Sequence, residues 1–192
     1  MRTLENIILY LIGFPGVGKL TIAKILAEKV HFRIIDNHYI NNVIFPIVDM
    51  KATPLPEEVW ISTRKIRDVI LETITNVSPK AYSFIFTNVL CEDNAQDRQI
   101  FETIRRTAEA RDAVFVPVRL HCDPHENARR IVQPGRRERM KMTNSDKPHQ
   151  IAADETLLKT DHSNLLDLDV THLSAEAVAD VILAHVSKIH NA

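Results

Sequence analysis

The hydrophobic residues of this chain follow two alternating patterns. Continuous apolar runs, typical of strands buried on both faces of a parallel sheet, are separated by segments whose apolar residues recur at helical spacing. The runs predict strands at residues 6–12, 32–35, 82–90, 113–120 and 165–170. The other segments predict helices at residues 18–30, 39–50 with an interruption near Pro46, 56–77, 92–110, 124–132, 151–159 and 175–189.

Strands that alternate with helices indicate an α/β fold, a three-layer sandwich built around a five-stranded parallel sheet. The 192 residues fit one domain, residues 1–192, and show no internal repeat. Pro117 conflicts with the fourth predicted strand, because proline lacks the N–H donor that a sheet ladder uses. We expect a local irregularity at that position.

A glycine-rich stretch, residues 13–21, directly follows the first predicted strand. The chain has four glycines, and three of them lie here. Glycine is favoured where the backbone adopts a positive φ or approaches a ligand closely. In a strand–turn–helix unit of this kind, backbone N–H groups surround a β-phosphate and a lysine reaches the β- and γ-phosphates. The sequence therefore predicts ATP bound by Gly13, Pro15, Gly16, Val17, Gly18, Lys19, Leu20 and Thr21.

The position after Lys19 is unusual for such a loop. A Ser or Thr normally follows the lysine and binds Mg²⁺, whereas this chain has Leu20 and then Thr21. Leucine cannot ligate a hard cation. Either Thr21 takes over that role, or Mg²⁺ is held through water and phosphate oxygens alone.

The pattern Gly13-x-Pro15-Gly16-x-Gly18-Lys19-x-Thr21 resembles the loop of adenylate kinase and related nucleoside monophosphate kinases. Nearly the whole chain resembles the P-loop small-molecule kinases that include shikimate kinase, gluconate kinase and chloramphenicol phosphotransferase. It is similar as well to small bacterial kinase-like proteins of the AAA family ATPases. The resemblance implies strand order 2-3-1-4-5, a lid that closes over ATP, and a phosphoryl acceptor held by the second and third strands. It also implies an arginine packed against adenine, here Arg130 with Arg129 as the alternative.

Candidate acceptor-binding residues follow the second and third predicted strands, at the rim where parallel sheets bind ligands. Asp36 is the candidate base for the attacking hydroxyl, an interpretation that rests partly on the resemblance. The alternative is that Asp36 caps the next helix. Asn37 and His38 are candidate acceptor contacts, although His38 could equally be an ordinary surface histidine. Asn88, next to Thr87, offers uncharged hydrogen bonds unless it merely ends its strand.

Arg64 and Arg67 lie three residues apart and share one face of the long predicted helix. Such a pair suits an anionic group on the acceptor. A solvated helix face explains the pair equally well. We select Arg67 as the candidate substrate-binding residue.

Basic residues crowd the segment after the fourth predicted strand, within residues 129–141. We expect a lid at about residues 129–149, in which Arg136 and Arg139 act catalytically by neutralising charge on the transferring phosphoryl group. A solvated basic turn is one alternative. A nucleic-acid patch is another, weakened because no aromatic residues are interleaved for base stacking.

Composition narrows the range of partners and compartments. A net charge of −1 gives no global reason to expect nucleic acid or an anionic membrane. Two cysteines, Cys91 and Cys122, indicate free thiols in a reducing compartment. The first apolar run is too short to span a bilayer and lacks a signal-peptide cleavage site. We therefore expect a cytoplasmic monomer or homodimer.

Together these features predict an ATP-dependent kinase that moves the γ-phosphoryl group to a hydroxyl or phosphate of a small molecule. Lys19 and its loop would bind ATP, Asp36 would orient the acceptor, and Arg136 and Arg139 would close over the reaction. The alternative is a nucleotide-binding switch or weak NTPase that has no acceptor. A sugar acid, an antibiotic, a nucleoside monophosphate and a protein side chain all remain possible acceptors.

Overall fold

The computed structural model describes residues 4–52, 54–132 and 154–191. Its sheet contains five parallel strands in the order β2-β3-β1-β4-β5, which confirms the predicted fold class and strand order. The strands are β1 (Ile7–Gly13), β2 (Arg33–Asp36), β3 (Phe84–Asn88), β4 (Val114–His121) and β5 (Leu166–Asp169).

Helices connect the strands and cover both faces of the sheet. Within the described residues they are α1 (Lys19–Val30), α2 (Asn37–Ile44), α3 (Glu57–Asn76), α4 (Ala95–Ala110), α5 (Pro124–Ile131) and α6 (Ala175–His190). A short 3₁₀ turn, Phe45–Ile47, follows α2 and contains Pro46, where the sequence predicts an interruption.

The hydrophobic core lies on the two sides of β1, whose residues are all buried. Ile7, Leu9 and Leu11 pack in one cluster with residues of α1 and α6, while Ile8 and Tyr10 pack in the other with residues of α3 and α4. Alternate residues of a strand point to opposite faces, so a continuous apolar run produces a strand buried on both sides. This arrangement makes β1 the centre of the three layers.

Polar side chains cap the N-termini of four of the described helices. The side chains of Asp36, Asn94, Asp123 and Ser174 accept hydrogen bonds from backbone N–H groups in the first turns of α2, α4, α5 and α6. Helix α1 instead begins after Gly18, and α3 after Pro56, with no side-chain cap. The first N–H groups of α1 are therefore left to another partner.

Pro117 causes no irregularity, so that prediction is wrong. The register between β4 and β1 is unbroken from Val114 to Leu120. Strand β5 pairs with β4 only from Val118 onward, so at Pro117 β4 has a single neighbouring strand. One side of the backbone needs no ladder donor there, which removes the expected conflict.

The predicted helix at residues 151–159 is wrong for residues 155–159, and residues 151–153 lie outside the described part. Leu157 forms an isolated antiparallel bridge with Cys91, and the backbone N–H of Leu158 donates to the carbonyl of Leu90. Leu157 and Leu158 are buried there. Burial of these two leucines against the chain beyond β3 outweighs the local helix propensity of the segment.

Arg111 fills the corner between α4 and β4 and is completely buried. Its guanidinium donates to the Ile74 carbonyl in the last turn of α3 and to the Ser78 and Pro79 carbonyls in the connection to β3. It also lies 5.4 Å from the ring centroid of Phe84. One side chain thus satisfies several carbonyls at the end of α3. Among the described residues, no helix has both the length and the apolar character needed to cross a membrane.

Candidate active site

The glycine loop has the geometry that the sequence predicts. Gly16 and Gly18 adopt φ values of 101° and 99°, in the left-handed region that favours glycine. Helix α1 starts at Lys19, so its uncapped N–H groups face the loop. Backbone N–H groups at a helix N-terminus attract anions, and the helix dipole adds to this attraction.

Lys19 lies across the mouth of this loop. Its Nζ donates hydrogen bonds to the carbonyl of Gly13 and, at 3.0 Å, to that of Phe14. These contacts hold the ammonium group above the loop. A phosphate bound by the loop would meet a positive charge already in position.

Asn127 of α5 holds the other side of the loop. Its Nδ2 donates to the Pro15 carbonyl at 2.9 Å, and a Cβ added to Gly16 would lie 2.0 Å from its Oδ1. The side chain is 5% exposed, and its Oδ1 accepts no hydrogen bond from the described residues. The sequence analysis missed Asn127. The available signal was an asparagine in the interior of a short helix, where it is unfavourable.

A cavity of about 830 Å³ opens between the glycine loop and the carboxyl ends of the strands. Residues 15–22 form its floor. Asp36, Asn37, His38 and Asn88, all predicted acceptor residues, line one half. Arg130 and Arg129, together with residues after β5, line the other half. The predicted nucleotide and acceptor residues thus meet in a single cavity, with the exception of Gly13 and Arg67, which are not on its surface.

Hydrogen bonds hold the Arg130 side chain in the nucleotide half of the cavity, which lies on the side of β4 and β5. Its guanidinium donates to Glu126 at 2.8 Å and to the carbonyls of Val170 and Thr171 at 2.9 and 3.0 Å. Arg129 also donates to Glu126, but its own side chain is 70% exposed. The hydrogen bonds from Arg129 and Arg130 lower the pKa of Glu126 to about 2, so this carboxylate keeps its charge at neutral pH. Arg130 is the better placed of the two arginines to present a flat guanidinium face.

Asp36 is both a helix cap and a cavity residue. Its Oδ1 accepts hydrogen bonds from the His38 backbone N–H at 3.0 Å and from the Thr87 hydroxyl at 3.1 Å. The Thr87 hydroxyl also accepts from the backbone N–H of Asn37. These bonds join the ends of β2 and β3 and fix the carboxylate at the rim. The capping alternative of the sequence analysis is therefore present in the structure, in a residue that also lines the cavity.

Arg67 reaches the cavity only through Asn37. Its guanidinium is buried and donates to Asn37 Oδ1 at 3.4 Å. Burial lowers the pKa of Arg67, an effect partly offset by Tyr10. Burial also raises the pKa of Tyr10, whose hydroxyl has no hydrogen-bond partner among the described residues. Arg67 thus supports a residue of the cavity wall.

Two aromatic residues that the sequence analysis did not select complete the acceptor half. Phe45, in the 3₁₀ turn, and Trp60, in α3, line the cavity with their ring centroids 6.0 Å apart and nearly perpendicular. In the sequence they read as ordinary apolar positions. Only the contact between the 3₁₀ turn and α3 in the folded chain shows that they share the site.

The oxygen donors of the cavity fit Mg²⁺ only as an ion bound largely by phosphate and water. Thr21 is exposed in the first turn of α1 and lines the cavity beside Leu20, and Asp36 supplies a carboxylate. In the described ranges, no group of three or more His, Cys, Asp or Glu side chains could hold a metal. Mg²⁺ typically keeps several waters and binds one or two protein oxygens plus substrate phosphates, which this donor set permits.

The sequence profile of the AAA domain family matches residues 9–151. The chain belongs to this family. The match covers the glycine loop, both acceptor-side strand ends and Arg130, so the cavity lies almost entirely within the AAA domain. A search of curated proteins found no match.

Solved structures of small kinases share this AAA-domain fold. A gluconokinase from Sinorhizobium meliloti has a TM-score of 0.65 at 15% identity, over 98% of this chain and 95% of that one. APS kinase from Mycobacterium tuberculosis, solved with AMPPNP and APS, has a TM-score of 0.60 at 11% identity, over 95% and 98% of the two chains. Shikimate kinase from Acinetobacter baumannii has a TM-score of 0.54 at 18% identity, over 97% of both chains. These similarities confirm the predicted P-loop kinase fold.

The predicted lid arginines Arg136 and Arg139 lie outside the described residues, as does most of the expected lid at about residues 129–149. Their roles stay predictions. The described ends of this region are Val132 after α5 and Asp154 before the bridge to Cys91.

Proposed function

We propose that this protein is an ATP-dependent phosphotransferase that moves the γ-phosphoryl group of ATP to a hydroxyl of a small molecule. The observation that carries the proposal is the shared cavity, in which the glycine loop faces the polar ends of β2 and β3. A phosphoryl donor and an acceptor must occupy adjacent sites for in-line transfer. The fold of several small kinases supports the same conclusion.

At the nucleotide end, the loop amides of residues 13–21 bind the β-phosphate and Lys19 binds between the β- and γ-phosphates. The guanidinium of Arg130 packs against adenine. Thr21 would hold Mg²⁺ directly or through water, and the ion would supply positive charge at the phosphates. Arg136 and Arg139 act from the lid, where they stabilise charge on the transferring group.

At the acceptor end, Asp36 receives the proton of the attacking hydroxyl. The acceptor oxygen forms a bond to the γ-phosphorus while the bond to the β,γ-bridging oxygen breaks, and ADP carries away that electron pair. Asn37, His38 and Asn88 hold the acceptor by hydrogen bonds, and Arg67 positions Asn37. The products are ADP and a phosphorylated acceptor.

Lys19→Ala tests the nucleotide end. Loss of the ammonium group should lower phosphoryl transfer about 100-fold or more, because a preorganised charge at the phosphates is removed. Lys24→Ala is the matched control, since Lys24 is an exposed lysine on the same helix. ADP release measured with a pool of candidate acceptors reports the effect. Full transfer by Lys19→Ala would overturn the proposed role of the loop.

Asp36→Asn tests the acceptor end without removing the cap. Asparagine caps helices as well as aspartate does, so the hydrogen bonds to His38 and Thr87 can persist while the base is lost. Acceptor-dependent ADP release should fall about 100-fold or more, with nucleotide affinity unchanged. Asp49→Asn is the control, because exposed Asp49 also accepts from a backbone N–H two residues ahead.

The second candidate function is a nucleotide-binding switch or weak NTPase without an acceptor. The capping contacts of Asp36 favour it, since they give this carboxylate a structural role that needs no acceptor. In that case Asp36→Asn would leave ATP hydrolysis unchanged, and no acceptor would raise ADP release above the basal rate.

A cytoplasmic location accords with the proposal. ATP is supplied there, and both cysteines, Cys91 and Cys122, are free thiols. We propose a monomer or homodimer whose partners are a nucleotide and a small molecule, without nucleic acid or membrane.

A further inference from the structure

The acceptor half of the cavity has an unusual balance of charge. Among the described residues that line it, Asp36 is the only Asp, Glu, Lys or Arg. The other polar groups there are amides, a hydroxyl and an imidazole, as in Asn41, Asn88 and His38. An acceptor in this half therefore meets one negative charge and several neutral hydrogen-bonding groups.

An anionic acceptor would be poorly held by this surface. Its charge would lose water and lie near the Asp36 carboxylate, and both effects are unfavourable. The nearest buried cation on this side, Arg67, is not on the cavity surface, and its guanidinium is directed to Asn37 Oδ1. The described cations of the cavity, Lys19, Arg129 and Arg130, belong to the nucleotide half.

The aromatic pair gives this half its second property. Phe45 and Trp60 meet edge to face, with an interplanar angle of 86°, and both line the cavity. Trp60 is 38% exposed, so part of its indole surface is available to a ligand. Aromatic surfaces in a pocket bind apolar rings, while a few polar groups fix the orientation of the ligand.

We propose that the phosphoryl acceptor is an uncharged molecule with an aromatic or other apolar ring body and a free hydroxyl group. The ring contacts Phe45 and Trp60, and the hydroxyl lies at Asp36. This inference rests on the proposed phosphotransfer and selects among its acceptors. It favours neutral alcohols with an apolar ring over sugars, sugar acids and nucleoside monophosphates.

Trp60 allows a direct test, because it is the only tryptophan in the sequence. The full chain with a non-hydrolysable ATP analogue is titrated with benzyl alcohol and phenylethanol, and separately with glucose, gluconate and glycerol phosphate. The aromatic alcohols should give a saturable change in Trp60 fluorescence, and the other three compounds should not. A saturable change with glucose, gluconate or glycerol phosphate would overturn the inference, and so would the absence of a change with both aromatic alcohols.

Matched variants locate the signal. Phe45→Ala should weaken binding of phenylethanol about threefold to tenfold, the range expected for loss of an aromatic contact. Phe45→Leu, which keeps apolar volume in case the alanine variant unfolds, should weaken it as well. Tyr39→Ala is the control, because Tyr39 lies on α2 and is exposed but does not line the cavity. Equal weakening by Tyr39→Ala would assign the signal to a surface site and overturn the inference.

ADP release with the same compounds separates this inference from the proposed function. Transfer to gluconate but to neither alcohol would leave the kinase proposal intact and reject the acceptor class. Saturable binding of the alcohols without acceptor-dependent ADP release would support the neutral aromatic site and reject phosphotransfer.

Discussion

At the scale of single residues, the glycine loop depends on a side chain from a distant helix. Asn127 follows Gly16 by more than a hundred positions, yet its amide contacts the Pro15 carbonyl and leaves no space for a side chain at Gly16. Position 16 therefore requires glycine for two reasons, its positive φ and the close approach of Asn127. The loop is shaped by α5 as well as by its own sequence.

Asn127→Ala should loosen the loop and weaken nucleotide binding. The Pro15 carbonyl would lose its donor, and a neutral hydrogen bond of this kind contributes about 1 kcal/mol, which corresponds to roughly fivefold in affinity. Titration with a fluorescent ADP analogue measures the effect. Val132→Ala, an exposed position just beyond α5, serves as the control. Unchanged affinity in Asn127→Ala would show that the loop holds its shape alone.

Sequence reasoning found the residues that act within one short segment and missed those that act between segments. Gly16, Gly18 and Lys19 were predicted because a local strand–turn–helix pattern requires them. Asn127 and Arg111 were missed because their partners lie far away in sequence, and the only local signal was the unfavourable position of Asn127 inside a short helix. Their roles arise only when the sheet brings those segments together.

At the scale of elements, Arg111 ties the end of α3 to the start of β4. The carbonyls it satisfies belong to the last turn of α3 and to the loop that leads into β3. A helix end leaves carbonyls without intrahelical partners, and here the arginine that directly follows α4 supplies the donors. Arg111 also donates to the carbonyl of Tyr82, two residues before β3 begins at Phe84, so the same side chain fixes where β3 enters the sheet.

Arg111→Met should destabilise the fold while preserving side-chain length. Several part-buried carbonyls would lose donors, at a cost of about 2–4 kcal/mol in the free energy of unfolding. For a chain of this size the melting temperature should fall by roughly 5–15 °C. Arg106→Ala, an exposed arginine on the same helix, should change it little. Thermal unfolding followed by circular dichroism distinguishes the two variants.

The hydrophobic pattern predicted all five strands of the sheet. It gave the wrong secondary structure for residues 155–159, where contacts with a distant segment determine the conformation. Leu157 and Leu158 lie in a segment that was predicted to be a helix, yet they pair with the chain beyond β3 because that surface buries them. The strand order came from the resemblance to P-loop kinases, since the apolar runs alone do not specify which strands are neighbours.

At the scale of the whole molecule, carboxylates that accept hydrogen bonds in the folded state make the fold sensitive to acid. Hydrogen bonds lower the pKa values of four of the described carboxylates. The largest effect comes from the backbone N–H of Lys159 for Glu92 and from Arg129 for Glu126. It comes from Arg119 for Asp167 and from Thr171 for Asp169. Burial raises the pKa of Asp97, which acts in the opposite sense. Among the described carboxylates with a shifted pKa, four values are lowered and one is raised, so the stability of the fold depends on ionised carboxylates.

The free energy of unfolding should therefore fall as the pH drops. A carboxylate whose pKa is lowered in the folded state stabilises the fold at pH values above its unfolded pKa. That contribution is lost as the pH falls through the folded pKa. The ordinary pKa is 4.5 for Glu and 3.8 for Asp, so the loss should develop from about pH 5 downward. Urea unfolding at a series of pH values measures it. Asp167→Asn should flatten the acid limb, and an identical limb in that variant would contradict the assignment.

The central position of β1 has a consequence for synthesis in the cell. This strand emerges from the ribosome first, but it pairs with β3 and β4, whose first partner residues are Phe84 and Val114. At typical translation rates the delay before Val114 appears is on the order of ten seconds. During that interval an apolar strand with unpaired edges is exposed to aggregation. Nascent chains that stop short of β4 should therefore depend on chaperones that bind extended hydrophobic segments.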